Sequence, residues 1–317
     1  MDDIRSAAAY LHGRIHRTPL LSATTIGARA GVQLWLKPEN LQRTGSFKVR
    51  GARNCIRQLT PEQRQRGLIT ISAGNHAQAV AWSAAAEGAH ATVVMPAHAS
   101  AAKVEACRAY GGDVVLHGDM FEAFQHMEML RAERGSTLVH PFEDSAVIAG
   151  QGTVGLEIVE DLPDVDVVIV AIGGGGLISG IATAVRAFRP NARIVGVEPV
   201  GAAAMTEALS AGQPVTLKRI DTIADGLSAP AAGVLTLEHV RALVDDVVLV
   251  DDAAIREAMV LLLERAKLLA EPAGAAAVAA LLAGTAGVRP GDRVVCIVSG
   301  GNVGVPALLE MVGKTRA

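Results

Sequence analysis

A chain of 317 residues, half of it apolar, can bury one large core or two ordinary ones, which excludes a small module stapled by disulfides or a metal. Its formal net charge of −3, with both signs interspersed, leaves no basic stripe for a phosphate backbone and no polybasic membrane anchor. Nucleic acid and lipid are therefore poor partners.

The opening residues, MDDIRSAAAYLHGR, carry two aspartates where a signal peptide has a basic stretch followed by an apolar one, so a cytoplasmic location is expected. From about residue 60 to 140, the strand-like runs GLITIS, ATVVMP, GGDVVLHG and STLVHP alternate with the helical patterns NHAQAVAWSAAAEG, SAAKVEACRAYG and MFEAFQHMEMLRAERG. That alternation predicts a compact α/β unit. A second α/β layer follows, with strands at DVVIVAI, ARIVGVE and DRVVCIVSG. The whole reads as two mostly parallel sheets with helices on both faces and a cleft between them. Val167 to Val185 is uncharged, but glycines in its middle make it a loop-bearing segment instead of a membrane span. The run AEPAGAAAVAALLAG reads as a buried helix. Cys55, Cys107 and Cys296 show no CxxC spacing and are expected to be buried free thiols. His12 and His16 flank Gly13 and read as surface or loop residues; no HExxH metal spacing and no GxSxG elbow occurs.

Three strand-to-helix junctions, ISAGNHAQAVA, VIVAIGGGGLISG and CIVSGGNVG, place small residues where a helix should begin. Unpaired N–H groups and the positive end of the dipole make such a start an anion site, and in open α/β sheets ligands bind at these strand ends. Gly173 to Gly176 admit close backbone approach to a phosphate. They also fit a dinucleotide fold, with Glu198 at the end of the next strand, although Ser179 stands where a third glycine belongs. That alternative implies an NAD-binding oxidoreductase. Lys48, beside Phe47 and between Gly45 and Gly51, is placed for partial desolvation, which lowers an amine's pKa and suits a Schiff-base lysine. Taken singly it would be a solvated surface lysine, as Asn75 would be an ordinary N-cap and Ser299 a strand end.

Taken together, the motifs RTPL (17–20), KPENLQRTGSFKVRGA (37–52), SAGNHAQAVA (72–81), AVIAGQGTVGLEI (146–158), GGGGLISG (173–180), TIADGL (222–227), AEPAGAAA (270–277) and SGGN (299–302) make a chain that resembles the threonine dehydratase and serine racemase family. These are fold-type II pyridoxal-phosphate enzymes, similar to the tryptophan synthase β-chain. The resemblance runs essentially end to end. It implies a large cofactor-binding domain from 1–58 and 142–317, a small domain inserted at 59–141, and an active site in the cleft.

By that resemblance Lys48 is the covalent anchor of pyridoxal 5'-phosphate and the base at the substrate α-carbon. Gly173, Gly174, Gly175, Gly176 and Leu177 hold the phosphate, Asn75 meets the ring hydroxyl, Phe47 packs beside the site and Ser299 meets the pyridine nitrogen. A neutral hydroxyl there is a weaker partner than a carboxylate, which favours prompt loss of a β-leaving group. Ser72, Ala73, Gly74, Asn75 and His76 surround the substrate carboxylate. The resemblance implies L-threonine and L-serine dehydration to a 2-oxo acid and ammonia, with 3-hydroxyaspartate and phenylserine as other β-hydroxy substrates. Serine racemases of this kind carry a serine at the position of Ala73, whose methyl cannot shuttle a proton, so racemisation is expected to be weak. The chain ends soon after Asn302, so the short catabolic form without a regulatory domain is expected. A divalent cation at Glu198 (Mg, Ca or Mn) would lack a second carboxylate, since Ala202, Ala203 and Ala204 follow. Thr44, Gln78, Tyr110, Lys267 and Asn302 match a nucleotide-effector site, and a homodimer or homotetramer is the implied assembly.

Overall fold

The computed structural model describes residues 1–313. Ten strands run in chain order as β1 (Leu21–Ser22), β2 (Gln33–Pro38), β3 (Leu68–Ile71), β4 (Ala91–Met95), β5 (Asp113–Leu116), β6 (Thr137–Leu138), β7 (Val167–Ala171), β8 (Arg193–Pro199), β9 (Asp246–Val250) and β10 (Arg293–Val298). They form a six-stranded sheet ordered β1-β2-β10-β7-β8-β9 and a four-stranded sheet ordered β5-β4-β3-β6. Every pairing is parallel except β1 with β2.

Both faces of the larger sheet are covered. Along β7, Val167, Ile169 and Ala171 enter one core while Val168 and Val170 enter the other, the period-2 alternation of a strand buried on both sides. Along β10, Val294, Cys296 and Val298 face the first core and Val295 and Ile297 the second. The helices Asp252–Leu261 and Pro272–Leu282 close the first face, and Ser145–Asp161 and Gly176–Phe188 close the second. The alanine-rich segment is thus the buried helix its composition suggested, and the three cysteines are buried free thiols.

The helix Lys48–Arg57 joins the two layers. Its Val49, Ala52 and Ile56 pack with Leu68 of β3 and with Ala79 and Val80 of the helix Asn75–Ala86. Its other side lies on the helix Ser145–Asp161 at backbone contact: a Cβ on Gly150 would stand 2.4 Å from Arg50 O, and one on Gly51 2.4 Å from Gln151 Nε2. Any larger residue at either position would push the two helices apart and carry Lys48 with them.

Candidate active site

The turn ahead of Lys48 is bent by left-handed residues, Thr44 at φ 60° and Gly45 at φ 72°. A bridge then pairs Ser46 with Gly300, and Phe47 N donates to Ser299 O at 3.1 Å. This short pairing sets Lys48 at the carboxyl end of β10. Its Nζ donates to Pro141 O at 2.8 Å and lies 5.2 Å from the Phe47 ring centre. Burial without a carboxylate partner pulls its pKa down to about 8.

The tetraglycine stands at the end of β7. Gly175, at φ 94°, is the N-cap of the helix Gly176–Phe188 and offers no side chain to cap it. The N–H groups of Gly176, Leu177 and Ile178 precede the first intrahelical donor, Ser179 N, which gives to Gly175 O at 3.0 Å, and all three residues are buried. Phe142 lies across the loop: a Cβ on Gly174 would be 2.2 Å from its ring. The loop is braced from behind, where Thr236 Oγ1 donates to Gly174 O at 2.8 Å and Glu143 accepts from Leu235 N at 2.6 Å. Segment 140–143 therefore ties Lys48, through Pro141, to the tetraglycine, through Phe142. Pro141, Phe142, Glu143 and Thr236 were not foreseen from sequence, because a backbone carbonyl and a covering ring leave no residue-type signature.

At the end of β3, Gly74, not Asn75, is the N-cap of the helix Asn75–Ala86, so the N-cap reading of Asn75 is corrected. Gly74 N donates to Ser72 Oγ at 3.1 Å, and Ala73 is half-buried. Asn75 turns its amide inward: Nδ2 donates to Glu271 Oε1 at 2.5 Å, and Oδ1 accepts from Asn302 Nδ2 at 2.7 Å. His76 donates through Nε2 to Val139 O at 2.9 Å. Burial first, then the charge of Lys48, lowers its pKa to about 3, so the ring is neutral and Nδ1 is a buried acceptor without a partner. Ser299 is buried, with Oγ donating to Ala273 O at 3.3 Å.

The third junction is not a helix start. After β10 the chain zips onto the 44–46 turn, with Gly301 N donating to Gly45 O at 3.0 Å, and the helix Val305–Gly313 begins only later. Glu198 also departs from expectation. Its oxygens accept from Met205 N (2.7 Å), Thr206 N (2.8 Å) and Thr206 Oγ1 (2.7 Å), which caps the helix Ala204–Ala211. A carboxylate engaged at both oxygens is a poor ligand for a cation or a ribose, and no cluster of three His, Cys, Asp or Glu side chains suited to a metal occurs among the described residues. Of the effector positions, Thr44 and Asn302 are bonded to each other and Gln78 is buried on the helix that packs against their turn. Tyr110 follows the helix Ala101–Ala109, and Lys267 is exposed with Nζ donating to Glu264 O at 2.6 Å.

Beneath Lys48 lies a buried ionic network. Arg50 forks onto Glu39 (2.8 and 2.9 Å) and Glu157 (2.6 and 2.9 Å) and reaches Thr153 Oγ1 at 3.0 Å. Lys37 donates to Glu157 at 2.6 Å and to Thr18 O at 2.7 Å, while Thr18 Oγ1 donates to Glu39 at 2.6 Å. Two cations meet two anions, with each charged group multiply bonded. Burial opposes the charge on Arg50, but Glu39 and Glu157 outweigh it and raise its pKa.

The model of the family described as pyridoxal-phosphate dependent enzyme matches residues 11–300. The chain belongs to that family. It is similar to an L-threonine ammonia-lyase of Thermotoga maritima, 43% identical over 99% of this chain and 78% of the relative, and to the L-threonine dehydratase catabolic TdcB of Escherichia coli K12, 44% identical over 100% and 97%. Among solved structures, maize serine racemase matches with a TM-score of 0.93 at 42% identity, over 99% of this chain and 96% of that one. The residues fit the family's cofactor. The Gly176 helix has a buried, uncapped N-terminus suited to a phosphate, and the Lys48 amine is partly desolvated. Buried Ser46 Oγ and His76 Nδ1 add polar atoms without partners.

Proposed function

We propose that the chain is a pyridoxal-phosphate-dependent ammonia-lyase that dehydrates L-threonine, and L-serine, to a 2-oxo acid and ammonia. The observation that carries this reading is the Lys48 amine, at about pKa 8, tied by segment 140–142 to a buried helix start able to hold a phosphate. When bound, pyridoxal phosphate supplies the electron sink that makes the α-proton of an attached amino acid acidic. Lys48 would take that proton, since an amine of pKa about 8 is matched to the operating pH of a general base. Gly173 to Gly176 with Leu177 would hold the phosphate by N–H groups, and Phe142 would keep water from that loop.

Ser72, Ala73, Gly74, Asn75 and His76 would receive the substrate carboxylate at the other helix start, and Asn75 would also donate to the ring oxygen. Ser299 Oγ would turn from Ala273 O to the pyridine nitrogen, a neutral pairing that favours elimination. Ala73, a methyl where a racemase needs an acid, supports dehydration over racemisation. Exposed Leu41, Leu269, Val305 and Leu309 support a homo-oligomer. No helix among the described residues is long and apolar enough to cross a membrane, and a cytoplasmic location accords with the substrate class.

The test is 2-oxo acid release from cofactor-loaded protein offered L-threonine, L-serine, D-serine and 3-hydroxyaspartate, with Lys48→Ala as control. Fast 2-oxobutanoate from L-threonine, abolished in the variant, is expected. A higher rate constant on 3-hydroxyaspartate would overturn the substrate assignment, and undiminished activity in Lys48→Ala would overturn the mechanism.

A further inference from the structure

The Asn75 amide is gripped at both ends. Nδ2 faces Glu271 Oε1, and Oδ1 faces Asn302 Nδ2, which also donates to Thr44 O at 2.7 Å. Reversing Asn75 would set its oxygen against a carboxyl oxygen and its NH2 against the NH2 of Asn302. Reversing Asn302 would set its oxygen against Thr44 O. One arrangement satisfies all three contacts, and it leaves Asn75 a second Nδ2 hydrogen to give.

Glu271 occupies the N-cap position of the helix Pro272–Leu282, where a cap bond would be its ordinary task, yet its side chain makes none. The carboxyl is instead turned to Asn75. It passes through space that a side chain on Gly300 would fill, Oε1 lying 2.3 Å from an ideal Cβ there. Burial raises its pKa to about 7, and the Asn75 hydrogen bond is the foremost influence opposing that rise. Lys103, a cation whose charge works against that rise, is paired with Asp225 at 3.3 Å.

We propose that Glu271, backed by Asn302, is a positioning residue that locks the Asn75 amide with an N–H directed at the cofactor's ring oxygen. The proposal rests on the reading that pyridoxal phosphate binds here. An N–H stabilises an ionised ring oxygen, whereas a flipped amide would turn its own oxygen toward that charge. Glu271 touches neither substrate nor reacting atoms in this scheme; it acts through Asn75.

The experiment is a double-mutant cycle on uptake of pyridoxal phosphate by cofactor-free protein, read as dissociation constant and as the ratio of the bound cofactor's absorbance bands. Glu271→Ala is expected to weaken binding about tenfold, the worth of one good hydrogen bond, and to shift the band ratio. In an Asn75→Ala background the same change is expected to cost less than about twofold. Glu271→Gln, which keeps an acceptor but can turn an NH2 inward, should fall between, and it carries the same cycle if the alanine variant does not fold. Equal losses in the two backgrounds, or an unmoved band ratio, would overturn the proposal while leaving the functional reading intact. Failure of the unaltered protein to take up the cofactor would overturn both.

Discussion

Arg50→Met removes the fork that neutralises Glu39 and Glu157 in a side-chain cluster where Arg50 is 1% exposed and Glu39 fully buried. Glu39 keeps the Thr18 hydroxyl and Glu157 keeps Lys37, so the cluster passes from neutral to one uncompensated negative charge. Breaking a buried pair from one side costs about 3–5 kcal/mol, mostly as the stranded charge instead of the lost bonds. The pH dependence has a definite sign. Burial works to raise the Glu157 pKa, but Arg50 and then Lys37 depress it, so its contribution is present above the ordinary carboxylate range and lost only as pH falls through the depressed value. Without Arg50 that depression relaxes, and protonation at mild acidity relieves the variant. The deficit should therefore be full at pH 8 and smaller at pH 5. Urea unfolding of the cofactor-free protein, followed by the fluorescence of Trp35 and Trp82, measures it. A deficit below about 1 kcal/mol at pH 8, the worth of an exposed pair, or one that is equal at both pH values, would refute the reasoning.

Gly174→Ala puts a methyl into the Phe142 ring, so cofactor affinity should fall about tenfold or more, and Phe142→Ala in the same chain should recover part of it; equilibrium dialysis decides. The rate at which cofactor-free protein turns yellow with pyridoxal phosphate should rise with pH about a midpoint near 8, because only the neutral Lys48 amine attacks; a midpoint at the free-lysine value would contradict the burial argument. The raised Glu271 carboxyl has the opposite linkage to Glu157. Its ionisation costs the folded state nothing at pH 4, grows as pH rises through the ordinary range, and is full above about 7. Glu271→Gln should thus stabilise cofactor-free protein by about 3 kcal/mol at pH 8 and leave it unchanged at pH 4, by thermal unfolding.

Legibility followed from where a residue's task is defined. The runs that became β3, β4, β7, β8 and β10 were readable because a strand buried on both faces must be a block of β-branched residues. β2 was not, because QLWLKP carries a lysine whose partner Glu157 lies 120 residues away, and β9 is only half-buried. The tetraglycine was readable because it answers a demand of its own backbone. Glu271 was not: a carboxyl before a proline looks like a cap, and its partner Asn75 is 196 residues distant.

The same distinction explains motifs that touch no substrate. RTPL, KPEN, FKVRGA and GTVGLEI supply Thr18, Lys37, Glu39, Arg50, Thr153 and Glu157, and these meet in one network two residues beyond Lys48 on the same helix. In the proposed reaction Lys48 would have to leave the cofactor and return as a base, a movement that strong bonds of its own would oppose; its one hydrogen bond is to Pro141 O. The rigidity it needs is supplied next door, where Arg50 is fixed by charge and Gly51 by contact with a neighbouring helix. Loosening that floor should move the amine relative to the phosphate loop even though no atom of the proposed reaction is touched, so Arg50 would act on the chemistry through the position of Lys48 as well as on stability.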